Sequence, residues 1–366
     1  MSNTSTIHIK TDFDCKVYDY GQELGSTKAD TYFNIELRKG EHELRFAFVE
    51  DESISKSNNY TVEEADCDYR LIVEIAEAFC DKAKQEFDLG FQCQHTTPIN
   101  QDLAKEHYAK CVEWFTKAAE KGNPNAQYEL GGCYYSGTGV KKSITKAAEW
   151  FTKAAEQGVA WAQYYLGFCY YIGHDMRINH KKAVEWWTKA AEQGNEFAQY
   201  HLGRCYYAGD GIEKDLTKAV KWWIKAAEQG IDSAQNSLGN RYYKGEGIEK
   251  DLIKAFEWFS KAAEQGNSNA QCNLGDCYYN GEGIDKDLVK AFEWYSKAAN
   301  QDNLRAQYLL GGCYENGIGV AKDLTKAREW YNKVAKHAER EQDCLFEHFA
   351  HEALERLKSI EATPNE

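Results

Sequence analysis

Twelve cysteines, ten histidines and a row of glutamates are the side chains of this chain best suited to chemistry. Cys133, Cys169, Cys205, Cys277 and Cys313 recur at one position of a 36-residue period. Equivalent positions in stacked helices lie about 9–10 Å apart, whereas a disulfide needs Cα atoms within about 7 Å. The row therefore reads as small buried core filler. Metal chemistry finds little support, because no Cys-x-x-Cys occurs. Cys344, His348 and His351 would share a helix face as three ligands, but no fourth ligand accompanies them. Glu149, Glu156, Glu185 and Glu192 also recur at the period. A residue repeated from unit to unit marks a structural or solvated position and not a unique catalytic one. The paired glycines lack a preceding strand and a third spaced Gly, so they read as turns and not as phosphate cradles. The expectation is no catalytic residue, no metal and no cofactor.

Charge excludes further classes. The formal net charge of −14 disfavours nucleic acid, whose phosphates require a basic surface, and disfavours anionic membranes. Met1 to Lys10 has no basic stretch followed by an apolar core, so no secretory signal is read there. No apolar run approaches about 18 residues, so no membrane span is expected. A cytoplasmic chain with reduced thiols follows as the expectation.

The elements that must position any site come from the repeat. Lys-Ala-Ala-Glu-Lys/Gln-Gly begins at Lys117, Lys153, Lys189, Lys225 and Lys261, with degraded copies at Lys297 and Lys333. A fixed period of this length signals stacked two-element units, each too small to fold alone. In each unit a first helix opens at a capping residue, as at Asn123, Asn195, Asn267 and Asn303; Val159 and Ile231 break that rule. Ala126, Leu130 and Tyr134 then share one face. Gly131 recurs as Gly167, Gly203, Gly239, Gly275 and Gly311, which predicts close helix approach. Paired glycines such as Gly137 and Gly139 end that helix. Ser143, Asn179, Asp215, Asp251, Asp287 and Asp323 cap the second helix. The fold class predicted is mainly α: a solenoid of helical hairpins wound as a right-handed superhelix.

The ends read differently. In residues 1–76, Ile7/Ile9, Ile35/Leu37, Leu44/Phe46/Phe48 and Leu71/Val73/Ile75 alternate with polar neighbours, the period of half-buried strands. A small antiparallel β-sandwich-like domain is predicted there. Residues 77–122 read as a degenerate first repeat and linker, with a long turn around His95 to Asp102. Six units fill 123–338. Residues 339–366 read as a capping helix and tail, with Phe346, Phe349, Ala350, Ala353, Leu354 and Leu357 in one stripe.

The unit pattern Ala-x-x-x-Leu-Gly-x-x-Tyr-x-x-Gly-x-Gly, followed by Asp-x-x-Lys-Ala-x-x-Trp and Lys-Ala-Ala-Glu-Gln-Gly, resembles the Sel-one-like repeat (SLR). That family is a 36-residue relative of the tetratricopeptide repeat. Val17-Tyr18-Asp19, Gly21, Gly25 and Gly40-Glu41-His42 resemble PEGA-type domains, although the Pro expected after Gly25 is absent. The SLR resemblance implies a scaffold or adaptor that binds a protein or peptide partner. By analogy with tetratricopeptide packing, the first helix's other face would line the concave side. The partner-binding candidates on it are Tyr128, Trp161, Tyr164, Phe168, Tyr171, Tyr200, Arg204, Tyr207, Asn240 and Tyr243. Tyr135, Phe197, Asn236, Asp276, Tyr279, Arg305 and Tyr308 lie on the same face. Aromatics and Arg are the types that dominate binding hot spots. The second Tyr of each pair, as in Tyr135 or Tyr171, has packing between units as its other reading. The alternative function is an enzyme, or a binder of small molecules or cell-wall peptides, like the Cys-rich secreted SLR branch. That branch staples its hairpins with a Cys where this chain has Ala154. A monomer or weak oligomer is expected.

Overall fold

The computed structural model describes residues 4–11, 15–19, 22–27, 31–38, 41–48, 55–61, 67–95, 101–173, 177–340 and 347–362, with side chains for 79–94, 101–173, 177–336, 349, 351–358 and 360. Six strands come first: β1 (Thr4–Thr11), β2 (Cys15–Asp19), β3 (Gln22–Thr27), β4 (Thr31–Arg38), β5 (Glu41–Phe48) and β6 (Ser55–Thr61). Their backbones pair antiparallel, β1 with β4 and the others in the order β3-β2-β5-β6.

Helices α1 (Cys67–His95) and α2 (Gln101–Glu120) follow. This corrects one expectation, because Leu71, Val73 and Ile75 lie inside α1 and not in a strand. The alternation misleads because Leu71, Ile75, Phe79 and Ala83 also recur every four residues, the spacing of one helix face. Phe79 and Ala83 are buried in α1.

Six hairpins then repeat at the period. Their first helices are α3 (Pro124–Ser136), α5 (Ala160–Ile172), α7 (Glu196–Ala208), α9 (Asp232–Lys244), α11 (Ser268–Asn280) and α13 (Leu304–Asn316). Their second helices are α4 (Ile144–Glu156), α6 (His180–Glu192), α8 (Leu216–Glu228), α10 (Leu252–Glu264), α12 (Leu288–Ala299) and α14 (Leu324–Arg340). The capping chemistry is local. Asn123 Oδ1 accepts the Ala126 N–H at 2.8 Å, and Asp215 Oδ1 accepts that of Lys218 at 2.9 Å. Val159 and Ile231 sit at N-cap positions without a side-chain bond.

Each hairpin closes on one glycine. A Cβ at Gly131 would lie 2.6 Å from the Phe151 ring, and one at Gly203 the same distance from Trp223. Gly167, Gly239, Gly275 and Gly311 face Trp187, Phe259, Tyr295 and Tyr331 in the same way. The turn glycine Gly283 has φ +76°, and a Cβ there would come within 2.1 Å of the Leu252 carbonyl oxygen.

The chain divides into two compact units, Met1–Ala190 and Ala191–Glu366. Within each, buried glutamines join successive hairpins. Gln271 Nε2 donates to the Ala263 carbonyl at 3.1 Å, and its Oε1 accepts from Gln301 Nε2 at 2.8 Å. Gln127 and Gln157 repeat this arrangement in the first unit. The last helix, α15 (Glu347–Ala362), lays Ala353, Leu357 and Ile360 against Ala327, Tyr331 and Val334 of α14, with Phe349 half-buried beside them. Leu354 of the expected stripe is exposed. Phe346 and the Ala350 side chain lie outside the described residues.

Candidate functional site

In the first unit the candidates on α3 and α5 form one aromatic cluster. Tyr164 meets Tyr165, Trp161 and Phe168 with ring centroids 5.1, 6.0 and 6.3 Å apart. Tyr135 reaches across to Tyr165 and Phe168 at 5.8 and 6.4 Å. Tyr128 sits 6.1 Å from Tyr165. Trp161 is 39% exposed, while Tyr128, Tyr164 and Phe168 are half-buried. Burial pushes the hydroxyls of Tyr128 and Tyr164 up to about 12, so they remain donors at neutral pH. Tyr171 is half-buried against Trp187 of its own hairpin, 5.3 Å away.

In the second unit Arg204 is exposed, its guanidinium 6.0 Å from the Tyr200 ring. Tyr207 packs on Trp223 at 5.7 Å and lies under the buried guanidinium of Arg241 at 4.5 Å. Arg241 stands where the other units carry the buried cysteine, and it pairs with Glu246. Asn240 turns its amide back onto its own helix, donating to the Asn236 carbonyl at 3.0 Å. Asn236 and Asn273 hydrogen-bond each other at 2.9 Å. These asparagines are committed within the protein, so the offer of amides to a ligand backbone is weaker than their types suggest.

A pocket of about 400 Å³ opens farther along the second unit, between α11, α13 and α15. Its lining includes Tyr243, Asp276, Tyr279, Arg305 and Tyr308 from the expected face. It also includes Tyr295, Glu315, Tyr331 and Arg356, which type alone did not single out. Arg305 pairs with Asp276, whose other oxygen accepts from the Tyr295 hydroxyl at 2.8 Å. The Tyr331 hydroxyl donates to Glu315 Oε2 at 2.8 Å. The Tyr243 hydroxyl donates to Glu282 at 2.9 Å, which raises it to about 12.

The missed residues carry a signal in the repeat itself. Glu315 occupies the slot held by Tyr in the five preceding units. Tyr295 and Tyr331 replace the Phe or Trp of the four earlier hairpins, adding a hydroxyl that reaches the acidic side chains.

The sequence matches the Sel1 repeat model at residues 97–123, 124–159, 162–195, 197–231, 232–267, 268–303 and 304–338. The chain belongs to the Sel1 repeat family. Sel1-repeat proteins are generally protein-interaction scaffolds, typically non-catalytic. A protective antigen of uropathogenic Escherichia coli strains displaying an SLR fold is 34% identical, with a TM-score of 0.61 over 79% of this chain. This Sel1 chain spans 64% of that protein's length. A Sel1 repeat protein from Oxalobacter formigenes is 33% identical, with a TM-score of 0.60 over 69% of this chain and 96% of its own. No curated protein matches the sequence. Together these make the chain a mainly-α helical-repeat solenoid. The family match begins at residue 97 and lends nothing to the PEGA-type likeness of residues 1–76.

Eight of the nine cysteines whose side chains are described are buried. Cys169, Cys205 and Cys277 are pushed by burial to about 12, which suits core filler. Cys344 and His348 lie outside the described side chains; His351 is exposed, 3.4 Å from Glu355. Among the described residues no three His, Cys, Asp or Glu cluster to hold a metal, and no helix is long and apolar enough to cross a membrane.

Proposed function

We propose that this Sel1 chain is a non-enzymatic, cytoplasmic adaptor that holds a peptide or partner protein along its first-helix face, the concave wall of a right-handed superhelix. The observation that carries the reading is the division of labour among first-helix positions. Slots turned to the core keep Ala, Leu, Gly and, in most units, Cys. The other face varies between units and leaves rings such as Trp161 open to solvent at 39% exposure. An aromatic cluster that retains accessible surface provides rigid contact area at low entropic cost. The strands before Cys67 form a small β-sandwich-like domain in this reading, and the protein works as a monomer or weak oligomer without nucleic acid or membrane.

The test is the paired substitution Trp161→Ala with Phe168→Ala in the full chain. Capture of the native-host partner, identified by affinity purification and mass spectrometry, is expected to be lost while far-UV circular dichroism is unchanged. Recovery of the same partner by the folded variant refutes the assignment of the face.

A further inference from the structure

The pocket in the second unit is lined at one point by a position that carries no side chain, Gly312. The slot at Gly312 is filled by Arg204, Asn240 and Asp276 in the preceding hairpins of that unit. A Cβ at Gly312 would meet only the Tyr331 hydroxyl, at 3.7 Å. This glycine is therefore not required by helix packing, unlike its neighbour Gly311, where a Cβ would lie 2.7 Å from the Tyr331 ring. Gly312 lines the pocket of about 400 Å³, a volume within the range of ligand sites.

The polar groups around that space are unevenly committed. Arg305 is engaged with Asp276 and Asn273. Asn280 and Asn316 each donate one amide N–H, to Glu282 and to the Gly312 carbonyl. Glu315 differs: its side chain is 15% exposed, and its cationic partner Arg356 stands 3.6 Å away with a side chain 52% exposed. That separation is beyond hydrogen-bond range, and a half-exposed ion pair contributes little. Glu315 Oε1 thus accepts no hydrogen bond from the described residues, in a pocket whose lining also includes Arg305, Tyr279 and Tyr308, and tyrosine faces attract cations. Lys286 already lies over Tyr279, 5.4 Å from its centroid. A net charge of −14 adds long-range attraction for a basic partner.

We infer that this pocket takes the guanidinium or ammonium group of an Arg or Lys side chain carried by a partner polypeptide, with Glu315 as its counter-charge. The inference rests on the proposed reading that the first-helix face binds a polypeptide, and it adds which side chain is read and where.

The test pans a library of random short peptides, displayed on phage, against the full chain and three variants. Selected peptides are expected to share a basic residue. A synthetic copy should lose affinity on the order of 10-fold or more when that residue becomes Ala, or when Glu315 becomes Gln. Gly312→Phe should abolish the selection by filling the pocket. Gly132→Phe, at the same slot of an earlier hairpin where a Cβ meets nothing within 4 Å, should leave it intact. Peptides without a basic residue, or binding indifferent to both Gly312→Phe and Glu315→Gln, overturn the inference while leaving the scaffold reading standing. Saturation by free arginine without peptide selection assigns the pocket to a small cation and overturns the polypeptide part. If no peptide is selected and free arginine does not bind, the inference fails outright, and the scaffold reading is then decided by the partner-capture experiment with Trp161→Ala and Phe168→Ala.

Discussion

Two adjacent glycines in α3 give the sharpest test of how the hairpins close. A Cβ at Gly131 would sit 2.6 Å from both Cδ1 and Cε1 of Phe151 and 3.1 Å from Cγ, whereas one at Gly132 has nothing within 4 Å. Carbon atoms rest about 3.5–4.0 Å apart, so Gly131→Ala leaves the helices about 1 Å too close. Overpacking of that kind costs about 1–3 kcal/mol. Both substitutions recover about 1 kcal/mol of helix propensity. Gly132→Ala should therefore stabilise by about 1 kcal/mol, and Gly131→Ala should destabilise by about 0–2 kcal/mol. Urea and thermal unfolding followed by far-UV circular dichroism would separate them, at roughly 2–4 °C per kcal/mol. In a Phe151→Leu background the penalty at Gly131 should shrink, which a double-mutant cycle would register as coupling. Equal stabilities for the two alanine variants, or no coupling to Phe151, would refute the claim that this slot sets the helix approach.

Gln271→Ala removes the donor to the Ala263 carbonyl and the acceptor for Gln301, so a loss of about 1–3 kcal/mol is expected in the same unfolding experiment. A mutant as stable as wild type would make the glutamine ladder decorative. His201 supplies a pH test: burial, aided by Arg204, lowers it from 6.5 to about 4. The unfolded chain then binds the extra proton first, so stability should fall as pH drops from about 6.5 toward 4, by up to about 3 kcal/mol. His201→Tyr, which installs the residue found at this slot in Tyr165, should flatten that part of the pH profile; an unchanged profile would exclude His201 as its source.

Most of the solenoid could be read from spacing, because its rules are local. Asn123 and Asp215 cap because a short oxygen-bearing side chain reaches an N–H three residues on, and that depends on no distant contact. The strand expected at Leu71 to Ile75 failed for the opposite reason. Three alternating apolar residues fit a strand and one face of a helix equally, and the longer run through Phe79 and Ala83 decides for the helix. The glutamine ladder was not legible, since a polar residue in every unit looks like a solvated face until the Ala263 carbonyl is seen beside it. The candidate site was half legible. Tyr243, Asp276 and Arg305 follow from residue type and slot, whereas Glu315 becomes meaningful only beside Tyr331 and the space at Gly312.

That asymmetry follows from how the hairpin is held. Core slots are closed by glycine against an aromatic ring and by buried glutamines, and they keep Gly, Gln and an aromatic residue in all six hairpins. The opposite face of each first helix carries no such constraint, so its side chains can differ from unit to unit without cost to the frame. Where the ring at the core becomes tyrosine, as at Tyr295 and Tyr331, its hydroxyl donates to Asp276 or Glu315 on the first helix of the same hairpin. The core aromatic then does two jobs, spacing the helices and orienting a carboxylate. The pocket carboxylates are thus aimed by the same rings that close the last two hairpins. Tyr331→Phe tests this coupling directly: the helix spacing survives, Glu315 loses its donor, and any cation bound there should be held less tightly while the fold is retained.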